Sequence, residues 1–236
     1  MTNKNHINIG SQRELFVDYH LIDEFNGTKL KLQEPQNKGP AILLDQPWEG
    51  PKAFYPTILK DDDVYRMYYR SSAPGSPICY AESKDGATWT KPILNLIDID
   101  GSSANNAILP GSPGHTFCPF IDTNKHSDKN QKYKANINVR KPTNLGLQPL
   151  QSSDGIHWNE IPDVCFIPPV LENHFDSQNV MFWSEEEKRY ILFSRHMQEG
   201  RRATAKSFSK DFKEWSQPIL MKYSDCLLYT SDAADE

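Results

Sequence analysis

The chain has 236 residues, a hydrophobic fraction of 37% and a formal net charge of −5, enough apolar content for one large core or two small ones. A mildly acidic chain without a Lys/Arg cluster leaves no electrostatic footprint for nucleic acid, and no apolar run reaches membrane-spanning length. The opening residues, MTNKNHINIGSQRELF, hold no apolar core of signal-peptide length, so the expected location is cytoplasmic.

In chain order, RELFVDYHLID (13–23) and KLKLQEP (29–35) read as two strands of a partial blade. A longer unit follows. It has an apolar run at 53–60, the acidic turn KDDD, a strand led by Tyr65 (VYRMYYR), a third strand, and the stretch SKDGATW at 83–89. The unit recurs. An apolar run at 116–122 precedes NKHSDKN, a strand led by Tyr133, and SSDGIHW at 152–158. Another at 179–183 precedes SEEEK, a strand led by Tyr190 (RYILFSR), and SKDFKEW at 209–215.

The shared frame Ser-x-Asp-x-x-x-Trp is an internal repeat, and a repeat of this length suits a four-stranded propeller blade with inserted loops. The alternating, aromatic-rich runs are strand-like. In the turn, Asp accepts from backbone N–H groups two residues on, Gly tolerates positive φ, and a fourth strand opens on the Trp. The fold class is all-β: a β-propeller of four-stranded antiparallel blades, here an incomplete ring of a partial N-terminal blade and three blades. The propeller domain is placed at 13–225. The ending CLLYTSDAADE carries no strand pattern, resembles translated adaptor-like ends of truncated metagenomic genes, and makes 226–236 a non-native tail on the N-terminal part of a longer protein. Cys79, Cys118, Cys165 and Cys226 are far apart with no C-x-x-C pair, which reads as buried free thiols. His20, His115 and His196 have no metal-ligand spacing. No cofactor and no metal are expected.

ELFVDYHLID, FYPTILKDDDVYRMYYR, YAESKDGATWTKP, FCPFIDTN, SSDGIHW and FDSQNVMFWSEEEKRYILFSRH together resemble the five-bladed β-propeller glycosidases of the invertase, levansucrase and arabinanase type, and look closest to a bacterial branch labelled glycosidase-like. The resemblance covers roughly 13–224. In the invertase group a blade begins Phe-Arg-Asp-Pro before an apolar strand. FDSQNVMFW keeps Phe175 and Asp176 but lacks the Arg and Pro. FYPTI (54–58) stands where that group has Asp-Pro-Asn and carries no Asp. The resemblance implies a carbohydrate substrate and two carboxylates at the propeller axis, whose separation decides the stereochemistry.

The candidate catalytic residues are Asp176, Asp18 and Glu82. Asp176 lies in NHFDSQNV with His174, Gln178 and Asn179, where period-2 side chains point one way; a turn cap is its ordinary alternative. Asp18 is equally a buried hydrogen-bonded Asp, and Glu82 a solvated strand residue. The candidate substrate-binding residues are Trp48, Glu49, Tyr55, Arg70, Asn106, His115, His174, Gln178, Asn179 and Arg195. Trp48 reads as a sugar platform or a loop anchor, and Asn105 and Asn106 as sugar contacts or a plain turn before a blade. Arg70, Arg140 and Arg195 end the second strands, where a guanidinium fork can hold an anionic substrate or pair with acids between blades.

The sequence is compatible with three functions: a propeller glycoside hydrolase, a non-catalytic carbohydrate-binding propeller, and a sialidase-like enzyme, whose Asp-box the Ser-x-Asp-Gly-x-x-Trp turn is similar to. With the ring unclosed, the chain by itself is expected to be inactive.

Overall fold

The computed structural model describes residues 7–10, 14–16, 18–19, 21–111, 116–141, 144–161, 175, 177–198 and 200–221. The chain divides into two units, 1–39 and 40–236.

The described part of the first unit contains no strand. Its order is local: Ile22 N–H donates to the Tyr19 carbonyl at 3.0 Å, and Tyr19 meets Phe25 edge-on at 6.1 Å. The strands expected at 13–23 and 29–35 are therefore not formed among these residues. Leu15 and Leu32 are 81% and 94% exposed. An alternating run becomes a strand only when a neighbour satisfies its backbone, and the first unit supplies no such neighbour among its described residues.

Among its described residues the second unit holds twelve strands: β1 (Ala53–Asp61), β2 (Val64–Ser71), β3 (Ile78–Ser83), β4 (Ala107–Leu109), β5 (Cys118–Ile121), β6 (Tyr133–Lys141), β7 (Asn144–Ser152), β8 (Asn159–Glu160), β9 (Val180–Ser184), β10 (Arg189–Gln198), β11 (Arg201–Ser209) and β12 (Ile219–Leu220). They form three four-stranded sheets, β1-β2-β3-β4, β5-β6-β7-β8 and β9-β10-β11-β12, with antiparallel neighbours throughout. These are successive blades. Each first strand lies beside the next, β1 near β5 and β5 near β9, as the innermost strands of a propeller do. No helix among the described residues is long and apolar enough to cross a membrane.

The fourth strand departs from the sequence expectation in two blades; in the third, β12 begins at Ile219, four residues past Trp215. In the first blade the fourth strand does not open on Trp89. Thr90 makes only an isolated bridge to Glu82, and the outermost strand is β4, residues 107–109. Asn105 and Asn106 thus precede an outer strand, not a new blade.

The three repeated turns share one hydrogen-bond pattern. Ser83 Oγ accepts from Gly86 N–H and donates to Asp85 Oδ1, which accepts from Ala87 and Thr88 N–H. Ser152 and Asp154 repeat this with Gly155, Ile156 and His157. Asp211 repeats it with Ser209, Lys213 and Glu214. The Trp indole N–H closes each turn onto the carbonyl three residues back: Gly86, Gly155 and Phe212. Gly86 and Gly155 are left-handed at φ +75° and +77°, and Phe212 takes the same conformation at φ +67°.

The turns are packing devices. Trp158 meets Phe117 edge-on at 5.0 Å and Tyr68 at 6.3 Å, between the first two blades. Phe212 and Trp215 join Phe120, Tyr190 and Leu192 between the second and third. A second repeated device clasps the blades. Tyr133 donates to Asp61 of the preceding blade, and Arg66 and Lys132 pair with the same carboxylate at 3.1 and 2.5 Å. One blade on, Tyr190 donates to Asp122 at 2.8 Å and Lys134 pairs with it. The leading Tyr of these strands is thus the donor to a buried acid, a charge-assisted bond stronger than a neutral one.

Candidate functional site

The described inner strands meet at three small polar side chains. Gln178 Nε2, just before β9, donates to Thr57 Oγ1 on β1 at 2.6 Å. Cys118, the first residue of β5, sits against both. Burial pushes its thiol up to about 11, with hydrogen bonds from Gln178 and Thr57 working the other way. One residue from each blade therefore converges here, and Gln178 is the sequence-predicted site residue that bridges first and third blades.

Around this cluster the backbone is irregular. The β1–β2 register shifts between Phe54 and Thr57, and Tyr55 within it is left-handed at φ +54°, an outlier for a bulky residue. Arg70 lies over the Phe54 ring at 4.6 Å and the Tyr55 ring at 5.4 Å. Phe175, fully buried, is left-handed at φ +62°. Its carbonyl accepts from Asn138 Nδ2 at 3.0 Å and Asn179 Nδ2 at 3.1 Å. Asn179 is itself buried and is spent on the turn, donating also to the Ser177 carbonyl at 2.8 Å. Arg195 lends its carbonyl to Phe175 N–H at 3.3 Å, and the buried His196 meets the Phe175 ring edge-on at 5.8 Å. Asp176, His174 and His115 lie outside the described residues.

Register sets Arg140 apart from Arg70 and Arg195. Arg70 and Arg195 both stand five residues after the leading Tyr; at that step of β6 the residue is Asn138, and Arg140 pairs with Leu145 two rungs further on. Period-2 geometry makes each rung a fixed height.

Trp48, Glu49 and Asn106 do come together, but as a closed network elsewhere on the first blade. Glu49 is 0% exposed. Its carboxylate accepts from Tyr69 Oη at 2.5 Å, from Gln46 N–H at 3.0 Å and from Lys91 Nζ at 2.7 Å. Asn106 Nδ2 donates to Tyr69 Oη and to the Tyr80 carbonyl, while Trp48 Nε1 donates to Asn106 Oδ1 at 2.7 Å. The network pins Ile42, Leu44 and Trp48 over Met67, Tyr69, Cys79 and Ala81. Burial pushes the Cys79 thiol up to about 12, helped by the Glu49 charge. Every polar atom named there is engaged within the protein, which makes the group a seal on that face of the blade.

Glu82 is placed apart from the axial cluster. It pairs with Arg66 across β2–β3, four residues along β2 from Arg70, or about 14 Å of strand. Tyr80 Oη donates to it at 3.1 Å, and it borders a cavity of about 290 Å³ shared with Ser83, Lys84, Asp85 and Thr88. Asp18 sits on a bend in the first unit and is exposed. Among the described residues, no group of three His, Cys, Asp or Glu could hold a metal ion. Thr57, Cys118, Asn136 and Asn138 had no sequence signal beyond their strand positions, because their partners lie in other blades.

No family model and no curated protein matches the chain. Solved structures do. The β-fructofuranosidase from Schwanniomyces occidentalis complexed with fructosyl-erythritol superposes with a TM-score of 0.54 at 14% identity, covering 72% of this chain and 34% of that one. A family 117 glycoside hydrolase from the marine bacterium Zobellia galactanivorans gives 0.53 at 14%, covering 78% and 51%. The exo-inulinase from Aspergillus awamori gives 0.50 at 14%, covering 77% and 40%. The solved structures it resembles are five-bladed β-propeller glycoside hydrolases. At such identities the likeness is one of fold, and this chain spans a third to a half of their length.

Proposed function

We propose that the chain is part of a glycan-acting propeller glycoside hydrolase whose site opens where β1, β5 and β9 converge. The observation that carries this reading is the Thr57–Cys118–Gln178 junction. A propeller brings side chains from separate blades to one point at its axis, and this junction is such a point. Asp176, next to Phe175 in the sequence and outside the described residues, is assigned the role of nucleophile or base. Glycoside hydrolysis requires a second carboxylate; Asp18, on a bend of the first unit, stays a candidate for the screen below. Gln178, Tyr55 and Arg70 line the sugar, with Tyr55 offering a ring face to its C–H surface. Glu82 is too far along the blade from Arg70 to share that task.

A second reading, a propeller that binds a glycan without cleaving it, is favoured by one fact: Thr57, Cys118 and Gln178 include no carboxylate.

A hydrolysis screen against fructan, arabinan and galactan oligosaccharides, run on a natural full-length homologue with the counterparts of Asp176→Asn and Asp18→Asn as controls, separates the two. Cleavage of one glycan, lost in either variant while circular dichroism is unchanged, supports the hydrolase. Binding without cleavage, indifferent to both substitutions, supports the binding propeller and removes the catalytic assignment.

A further inference from the structure

The turn leading into β9 is held by the neighbouring blade at two places. Asn136 and Asn138 both lie on β6 and point the same way, two residues apart. Asn136 Nδ2 donates to the Asn179 carbonyl at 2.8 Å, and Asn138 Nδ2 to the Phe175 carbonyl at 3.0 Å. They grip the two ends of one turn. From its own side the turn is tied by Asn179 Nδ2, which reaches the Phe175 and Ser177 carbonyls. From the first blade it is tied through Gln178 to Thr57. All three asparagines are buried.

Two features show that this grip is not an ordinary packing contact. First, Phe175 is held left-handed, a conformation that a bulky residue keeps only where its surroundings over-determine it. Second, among the described residues neither Asn136 Oδ1 nor Asn179 Oδ1 has a hydrogen-bond partner, though both are buried. A buried amide that leaves its acceptor unsatisfied is a poor stabiliser. An aliphatic side chain would pack there without that cost, but it could not hold the two carbonyls.

We propose that Asn136 and Asn138 are positioning residues. They clamp the left-handed turn of the third blade so that Gln178 is presented at the junction of the inner strands, against Thr57 and Cys118. The proposal rests on the hydrolase reading for its purpose and on geometry for its existence. Neither asparagine touches the reacting atoms; each acts through the turn.

The test uses the full chain and compares Asn138→Ala and Asn136→Ala with Asn124→Ala. Asn124 also makes a bond between second and third blades, to Tyr190 Oη at 3.1 Å, but at the opposite end of β5. It therefore controls for general loosening. Cys118 reports on the clamp, because it is buried and hydrogen-bonded with Gln178. Peptide-resolved alkylation of Cys118 is expected to quicken roughly five- to tenfold in Asn138→Ala and Asn136→Ala, the scale of one lost hydrogen bond. Cys79, buried in the first blade, should react at the wild-type rate throughout. In the glycan screen the same substitutions in the full-length homologue should lose about 10- to 100-fold in kcat, the effect of a small misplacement, with KM changed far less. Cys118 reactivity equal to wild type in both variants overturns the clamp, and so does an equal rise in Asn124→Ala. If the full-length wild type cleaves no glycan, the hydrolase reading falls alone, and the Cys118 rates of this chain still decide the clamp.

Discussion

Gly155 and Gly86 occupy the same place in two copies of one turn, with φ of +77° and +75°, yet their surroundings differ. A Cβ on Gly86 would meet only the Tyr65 ring, at 3.6 Å, an ordinary contact. A Cβ on Gly155 would lie 2.7 Å from Tyr68 Oη and 3.3 Å from the Tyr133 ring. That same hydroxyl donates to the Gly155 carbonyl at 3.0 Å. Gly86→Ala therefore carries only the left-handed backbone cost, about 1–2 kcal/mol. Gly155→Ala adds the displacement of a buried hydroxyl from its acceptor, about 1–3 kcal/mol more. Equilibrium urea unfolding of the two variants, with m-values compared to check that the transition is unaltered, should place Gly155→Ala below Gly86→Ala by that difference. Equal destabilisation would refute the idea that the second turn is a wedge between blades, leaving it a hairpin like the first.

The third turn makes the opposite exchange. Phe212→Gly should free the left-handed backbone, regaining about 1–2 kcal/mol, but empty a site between Phe120 and Tyr190 that costs about 3–5 kcal/mol to lose. A net loss is expected in the same urea assay, and a stabilised variant would contradict it. The turn aspartates also set a pH dependence. For Asp154 and Asp211 burial acts to raise the carboxyl, but it is outweighed: by the His157 side chain and backbone N–H groups for the first, and by Glu214 and Lys213 N–H for the second, so both lie below the usual carboxylate range. A depressed folded value means stability that is present above the unfolded value and lost as pH falls below it. Unfolding free energy should thus decline as pH drops from about 5 to 2. Asp154→Asn with Asp211→Asn, which keeps an acceptor but cannot titrate, should flatten that decline; an equally steep curve in the double variant would rule these groups out.

Much of the fold was legible along the chain because its signals are local. The Ser-x-Asp turn closes within seven residues, and an alternating strand announces itself within eight, so all three blades and their innermost strands could be placed from sequence. What failed was what depends on a distant partner. LFVDYHLID alternates like a strand but finds no ladder among the described residues of its unit. The fourth strand of the first blade lies at 107–109, well past its tryptophan, because β3 pairs with whatever outer segment returns to it.

The site divides in the same way. Sequence singled out Trp48, Glu49 and Asn106 as polar and aromatic groups worth noticing. Only the folded chain shows Glu49 enclosed by Tyr69 and Lys91, a seal and not a sugar contact. Gln178 was a candidate from its strand position alone; its partner Thr57 is 121 residues away. Asn136 and Asn138 carry no sequence signal, since an asparagine in a strand has no pattern of its own. Residue type and spacing determine the turns and the strands that pair with a neighbour in sequence, since hydrogen bonding and alternation act over a few residues. Which side chains face one another across blades is decided only when the sheets pack, because that packing alone sets the distances between residues far apart in the chain.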